Sequence, residues 1–221
     1  MRHYGLDYPQ AVTLLLDAGV SPAQDVTPSE AVLTLPEASG NMRRLFAYLC
    51  STRKISSLVV AAFVRAGLIY EEAHFHNAVF VGRDDQGIPR HGHLHSTGSR
   101  ASSFRLNLPG SDSRYSFHHT GTDGRLYVFE APIDLLSHIT LNPEGWEQHS
   151  YLACCGLSMK PLLFRLEQQP ALNQVFLCLD NDSAGDAACL RMATELKARG
   201  LFVQRLCPSA KGWNDELTQR H

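Results

Sequence analysis

Paired cysteines at metal-ligand spacing are missing from this sequence. Cys50, Cys154, Cys155, Cys178, Cys189 and Cys207 form no C-x-x-C motif, and most sit inside apolar runs. That argues against a zinc site or a disulfide framework and for buried, reduced thiols. Long apolar runs are missing too: the longest, Leu58–Val64, is far shorter than the roughly 20 residues that span a bilayer. The first residues hold no signal-peptide core, so the expected address is cytoplasmic, without a membrane partner. Nor is there a strong charge of either sign. The formal net charge is −2 and the pI about 6.6, so any contact with nucleic acid has to be local. Repeats and low-complexity tracts are also lacking. What is present is ordinary globular composition, 44% hydrophobic and 19% charged over 221 residues, enough for one large domain or two small ones.

The richest stretch is Leu179-Asp180-Asn181-Asp182-Ser183-Ala184-Gly185-Asp186. Val175–Leu179 before it reads as a strand buried on both faces, and Ala184–Ala198 after it as a helix. Carboxylates two residues apart at the C-terminal end of such a strand lie where open α/β sheets place their ligands, and both can turn toward one hard cation such as Mg²⁺. The competing reading is a polar turn in which Asp182 or Ser183 caps the helix. A calcium loop of the EF-hand type is excluded, because Ala184 and Arg191 stand where that loop needs ligands.

Before residue 125 the pattern mixes helices and hairpins. Pro9 to Gly19 reads as a short helix and Val20–Gly40 as a loop. Met42–Ser51 reads as a helix capped by Asn41, and a second helix opens at Ser56 or Ser57 and runs through Ala66, stopped by Gly67. Leu68–Tyr70 leads to Asn77–Gly82, which forms a hairpin with Ile88–His95 across Asp84–Gly87. Ser96–Asp112 is irregular, and a second hairpin signal falls around Thr120–Gly124. From Arg125 the rhythm changes to strands (Leu126–Glu130, Tyr151–Cys155, Val175–Asp180, Leu201–Leu206) alternating with helices (Ile133–Leu141, Pro161–Gln169, Ala184–Ala198). This predicts a parallel sheet flanked by helices, with all strand ends on one edge. The expected organisation is a helical remnant and linker over 1–40, an α+β partner domain over 41–122 and an α/β domain over 123–221.

Glu130 ends the strand Leu126–Phe129, and Asp134 follows on the first turn of the next helix. Both are expected on the edge that carries Asp180 and Asp182. A chance helix cap explains one such junction better than two, and repulsion among these groups would raise at least one pKa unless a cation were bound. After the last strand, Lys211-Gly212-Trp213-Asn214-Asp215-Glu216-Leu217 reads either as a helix packing Trp213 and Leu217 on the core, or as a segment bringing Lys211 or Asp215 over the same edge.

These residues resemble a known family. Val128-Phe129-Glu130-Ala131-Pro132-Ile133-Asp134 is similar to the E-G-x-x-D strand end of TOPRIM domains, and Leu179–Gly185 to their D-x-D-x-x-G strand end. TOPRIM is the Mg²⁺-binding module shared by bacterial primases, type IA and type II topoisomerases and some nucleases, and the likeness covers about Arg125–Leu217. The upstream segment, through Gly67–Tyr70, Asn77–Gly82 and Gly110–Asp112, is similar to the uncharacterised domain that precedes TOPRIM in proteins of bacterial mobile elements. Tyr4–Leu16 resembles the tail that follows a primase zinc finger, without its cysteines. The resemblance implies a TOPRIM (Rossmann-like) fold, Glu130 as general acid/base, Asp180 and Asp182 as Mg²⁺ ligands with Mn²⁺ as a substitute, and Asp134, Lys211 and Asp215 in support. The implied activity is primase-like nucleotidyl transfer, with a metal-dependent nuclease or a non-catalytic binding module as alternatives. The implied partners are DNA, chiefly single-stranded, or RNA, together with replication or conjugation proteins. Two positions depart from the pattern: Ala131 replaces the glycine of E-G-x-x-D, and Gly212 replaces the first aspartate of the relatives' K-D-W-N-D.

Between residues 90 and 119, Arg90, Arg100, Arg105 and Arg114 are interleaved with Phe104, Tyr115 and Phe117, a pattern that can hold phosphates and stack on unpaired bases. A solvated loop with core aromatics is the alternative. His91, His93 and His95 alternate along one face of a hairpin expected to be exposed. They lack carboxylate or cysteine partners for a metal, so backbone contact with nucleic acid is the more economical role.

Overall fold

The computed structural model describes residues 32–98 and 104–220. The expected helix at Pro9–Gly19 and Arg100 lie outside them. The described residues form one compact unit.

The upstream half opens with a short helix α1 (Arg43–Phe46) that continues as a π-helical turn, Ala47–Thr52, where a single regular helix over 42–51 was expected. Helix α2 (Ser57–Arg65) follows, and four strands, β1 (Ile69–Glu71), β2 (Ala78–Arg83), β3 (Pro89–His95) and β4 (Arg105–Asn107), pair antiparallel in sequence order. The β2–β3 hairpin matches the expectation. Strand β4 does not: it lies inside a stretch read as irregular, and its pairing sets Arg105 opposite His95 and Asn107 opposite His93. Residues directly opposite each other in a ladder point to the same face, so these four form one polar strip.

The histidine row corrects a second expectation. His91, His93 and His95 are only 0%, 5% and 6% exposed, so their face of the hairpin is an inner one. Phe80 packs against His93 and Tyr48 against His95. Alternation alone cannot say which face of a strand meets the core when the core is partly polar.

The second sheet has the order β5-β7-β6-β8-β9, from β5 (His118–His119), β6 (Arg125–Phe129), β7 (Ser150–Ala153), β8 (Gln174–Leu177) and β9 (Phe202–Arg205). The last four are parallel, as their alternation with helices requires. Strand β5 departs from the expected pattern by joining the edge antiparallel to β7. No hairpin forms at Thr120–Gly124, because β5 and β6 are separated by β7 and never pair.

Period-two alternation splits each strand between two apolar layers. Leu126, Val128, Leu152, Val175 and Leu177 face one side and pack with Leu162 of α4 (Lys160–Gln168) and Ala188, Met192 and Leu196 of α5 (Ser183–Ala198). Phe129, Tyr151 and Ala153 face the other side, under α3 (Pro132–Leu141) and α6 (Trp213–Gln219). That second layer continues without a break into Leu45, Leu49, Phe63, Phe80 and Phe117 of the upstream half. Each fully buried side chain of this size contributes about 1.5–3 kcal/mol, so the two halves share one core and hold each other in place.

Candidate functional site

Strand β6 ends at Phe129 and β8 at Leu177, so Glu130 and Asp180 lie just past two adjacent strand ends. The glycine of the D-x-D-x-x-G pattern has a steric reason: a Cβ on Gly185 would sit 2.1 Å from the carbonyl oxygen of Asp180. Helix α5 can therefore start close behind the Asp180 turn only with glycine there.

Asp182 caps that helix. Its Oδ1 accepts from the N–H groups of Ala184 (3.1 Å) and Gly185 (2.9 Å). The capping reading is correct for this oxygen, while Oδ2 is free to face the Lys211 ammonium at 3.6 Å. The Gly185 N–H, followed by Lys211, lowers the Asp182 pKa. The 206–212 segment is fastened to the same turn: Asn181 N–H donates to the Lys211 carbonyl at 2.7 Å and its side-chain amide to Pro208 at 3.3 Å. Trp213 is buried, and its indole N–H donates to the Cys178 carbonyl at 2.9 Å.

A cavity of about 320 Å³ opens between Asp134, Asp180, Lys211, Gly212 and Asp215 on one side and Arg53, His95 and Arg105 on the other. A neighbouring cavity of about 340 Å³ is lined by Glu130, Cys155, His93, Asn107 and Arg105. Ala131 and Arg105 border both. The acidic edge thus faces the polar strip of β3 and β4 across a cleft, and Arg105 lies on the wall common to its two compartments.

The electrostatics follow from burial and crowding. Burial pushes the Asp134 carboxyl up to about 6, with Asp180 and Asp215 adding repulsion and the Asn214 N–H opposing it. Glu130 is raised by burial and then by Asp180; Asp180 is raised by burial and then by Asp182. The positive charge of Arg105 pulls all three back down. These carboxyls are costly to ionise together without a cation.

Among the described residues, no three His, Cys, Asp or Glu side chains already converge on one point at ligand distance. Mg²⁺ does not require that. It keeps several waters and takes one or two carboxylates plus phosphate oxygens. A cleft walled by oxygen donors, with a glycine where a side chain would crowd them, fits such an ion. Asp180 and Asp182 Oδ2, the oxygen that faces Lys211, would hold it.

The remaining residues singled out in the sequence separate clearly. Arg105 reaches the cleft. Arg90 pairs with Asp84 at 2.7 Å and Arg114 with Asp112 at 2.6 Å, both half-exposed and away from the two cavities. Arg53 and Asn107 had no local signal, and Asn214 was part of the Lys211–Leu217 segment without a role of its own. Asn214 is buried and fully used: its Oδ1 accepts from Arg53 Nη1 (3.1 Å), and its amide N–H groups donate to the Arg53 carbonyl (2.8 Å) and Ser137 Oγ (2.9 Å). Arg53 also donates to the Tyr48 hydroxyl at 2.8 Å, and that hydroxyl contacts His95 Nδ1 at 3.3 Å.

Comparison with known proteins agrees with this architecture. Residues 127–217 match the family described as Toprim-like, and residues 47–123 match the family described as Protein of unknown function (DUF3991). The chain therefore carries a Toprim-like domain preceded by a DUF3991 domain. The Mycoplasma pneumoniae protein named Uncharacterized protein MG010 homolog is 30% identical over 120 residues, which cover 51% of this chain and 53% of that protein. This alignment thus spans about half the length of that relative. The crystal structure of the primase fragment of the bacteriophage T7 primase-helicase protein superposes with a TM-score of 0.59 at 18% identity, covering 91% of this chain and 80% of that one. A DnaG primase catalytic domain bound to ssDNA gives 0.52 at 17% identity, covering 81% and 68%. The fold is that of primase catalytic cores, upstream half included.

Proposed function

We propose that this protein is a Mg²⁺-dependent nucleic-acid enzyme that performs primase-like nucleotidyl transfer on a single-stranded DNA template. The observation that carries the reading is that Glu130, Asp134 and Asp180 line the same cleft as Arg105, with Asp182 two residues beyond Asp180 and paired with Lys211 of the cleft wall. The likeness to a primase fragment over 91% of the chain supports it, because that likeness includes the upstream strands that form the opposite wall.

A divalent cation, when bound, supplies stabilisation of charge on phosphate oxygens and activation of the attacking oxygen. Asp180 and Asp182 would hold that charge at the strand end, and Asp182 is kept in position by its cap on α5. Glu130, whose pKa burial raises, takes the proton from the attacking hydroxyl and can return one to the leaving group. Arg105 and Lys211 neutralise nucleotide phosphates from opposite walls. The strip of His93 and Asn107 offers neutral hydrogen-bonding groups beside Glu130, suited to the sugar or base. The setting we propose is the cytoplasm, in replication or transfer of mobile-element DNA.

The test is a primer-synthesis assay with a single-stranded template, ribonucleotides and Mg²⁺ or Mn²⁺. Labelled oligonucleotide products that disappear in Glu130→Gln are expected. Consumption of a labelled strand without nucleotides would replace the reading with a nuclease that directs water through the same carboxylates. Binding without either reaction would leave a non-catalytic module.

A further inference from the structure

Glycine at 212 has no backbone explanation. Its φ of −129° and ψ of 167° are ordinary extended values that any residue adopts. Space explains it instead. A Cβ built on Gly212 would sit 3.1 Å from Asp134 Oδ1, 3.6 Å from Asp180 Oδ1 and 3.7 Å from Asp215 Oδ2. One small volume is therefore bounded by oxygens from three separate elements: α3, the end of β8 and α6.

The glycine cannot move away from this volume. Its N–H donates to Asp215 Oδ2 at 3.2 Å and its carbonyl accepts from Glu216 N–H at 3.1 Å. The preceding carbonyl, that of Lys211, is held by Asn181 at 2.7 Å. A side chain added here would project among the carboxylates rather than into solvent. Like charges brought this close repel one another unless a cation lies near, and Mg²⁺ enters such a place with part of its water shell, so it needs room as well as charge.

We propose that Gly212 is the residue that admits a hydrated divalent cation to the acidic edge, through the opening bounded by Asp134, Asp180 and Asp215, with Asp215 contributing the third negative charge. The sequence departure at this position then has a consequence. Where the related motif places an aspartate, this chain leaves an opening and draws its carboxylate from Asp215, three residues on. Gly212 is a positioning residue, and its effect is on cation affinity rather than on the fold. The inference rests on the metal reading above.

Titration of the full chain with Mn²⁺, following the free-ion electron paramagnetic resonance signal, tests it with metal alone. Gly212→Ala adds one methyl at a backbone angle alanine tolerates, so the metal-free melting temperature stays near that of wild type while Mn²⁺ affinity falls on the order of tenfold. Asp215→Asn keeps an oxygen to accept from the Gly212 N–H but loses the charge, and is expected to weaken Mn²⁺ binding as well, which covers the case of an alanine variant that fails to fold. Gly40→Ala, at a glycine with open space around it, is the control and binds as wild type does. Wild-type affinity in both Gly212→Ala and Asp215→Asn would overturn the inference while leaving the metal reading intact. A wild-type chain that binds no Mn²⁺ would overturn the metal reading, and this inference with it.

Discussion

The backbone N–H of Asn214 donates to Asp134 Oδ1 at 3.0 Å, joining residues 80 apart in the chain. This bond fixes the first turn of α6 against the first turn of α3, and the Asn214 side chain carries the connection on to Arg53 in the upstream half. One buried residue therefore reaches an acidic-edge carboxylate through its backbone N–H and the opposite wall through its side chain.

Removing the side chain cuts the second connection and leaves the first. Asn214→Ala leaves the Arg53 guanidinium and the Ser137 hydroxyl short of a partner. Stability should fall by about 2 kcal/mol, since an unsatisfied buried polar group costs about 1–3 kcal/mol. Urea unfolding measures it, and an unchanged midpoint would show that the connection is not structural.

Gly185→Ala meets a backbone atom rather than a movable side chain, because its Cβ would sit 2.1 Å from the Asp180 carbonyl oxygen. The α5 start must back away from the Asp180 turn. We expect a loss of about 1–3 kcal/mol together with weakened divalent-cation binding, read by thermal unfolding with and without Mg²⁺.

Acid should destabilise the protein through its buried histidines. Burial lowers His91 to about 4 and His118 to about 3, against an ordinary value of 6.5. Below pH 6.5 the unfolded chain binds protons that the folded chain refuses, so the stability these neutral rings allow is full above that pH and is lost as pH falls toward their folded values. The urea midpoint should therefore drop between pH 6.5 and 4. Among the described residues, neither ring nitrogen of His91 has a hydrogen-bond partner, and its titratable neighbours are His93 and Asp112. His91→Leu should raise the midpoint at pH 5 relative to wild type and flatten the slope.

The arginines should differ in their effect on nucleic acid. Arg105→Ala removes the one that borders both cleft compartments, and should weaken binding of a labelled single-stranded oligonucleotide with a salt slope reduced by about 1. Arg90→Ala and Arg114→Ala remove side chains already paired with Asp84 and Asp112 and should change binding much less.

The acidic edge was legible in the sequence because its logic is local. Asp180-Asn181-Asp182 and Glu130 each close a strand that precedes a helix, and parallel topology brings such ends to one side. The opposite wall was not legible. Strand β4 is three residues long with every residue exposed, so it carries no alternation of burial, and only its pairing with β3 creates it. Arg53 follows a π-helical turn and meets Asn214 through tertiary packing alone. The histidine row has polar letters on an inward face, which a hydrophobicity pattern assigns to solvent. Antiparallel β5 was missed for a related reason: a two-residue strand has no periodicity to detect.

Whether the acidic edge binds a divalent cation is decided by a Mg²⁺ titration by calorimetry on wild type and on Asp180→Asn/Asp182→Asn. Asparagine at 182 keeps an oxygen to cap α5, so the double variant retains its helix start. Saturable binding by wild type and loss of at least most of that heat in the variant are expected, with the fold intact by circular dichroism. Equal affinity in the two proteins would contradict a cation site at this edge.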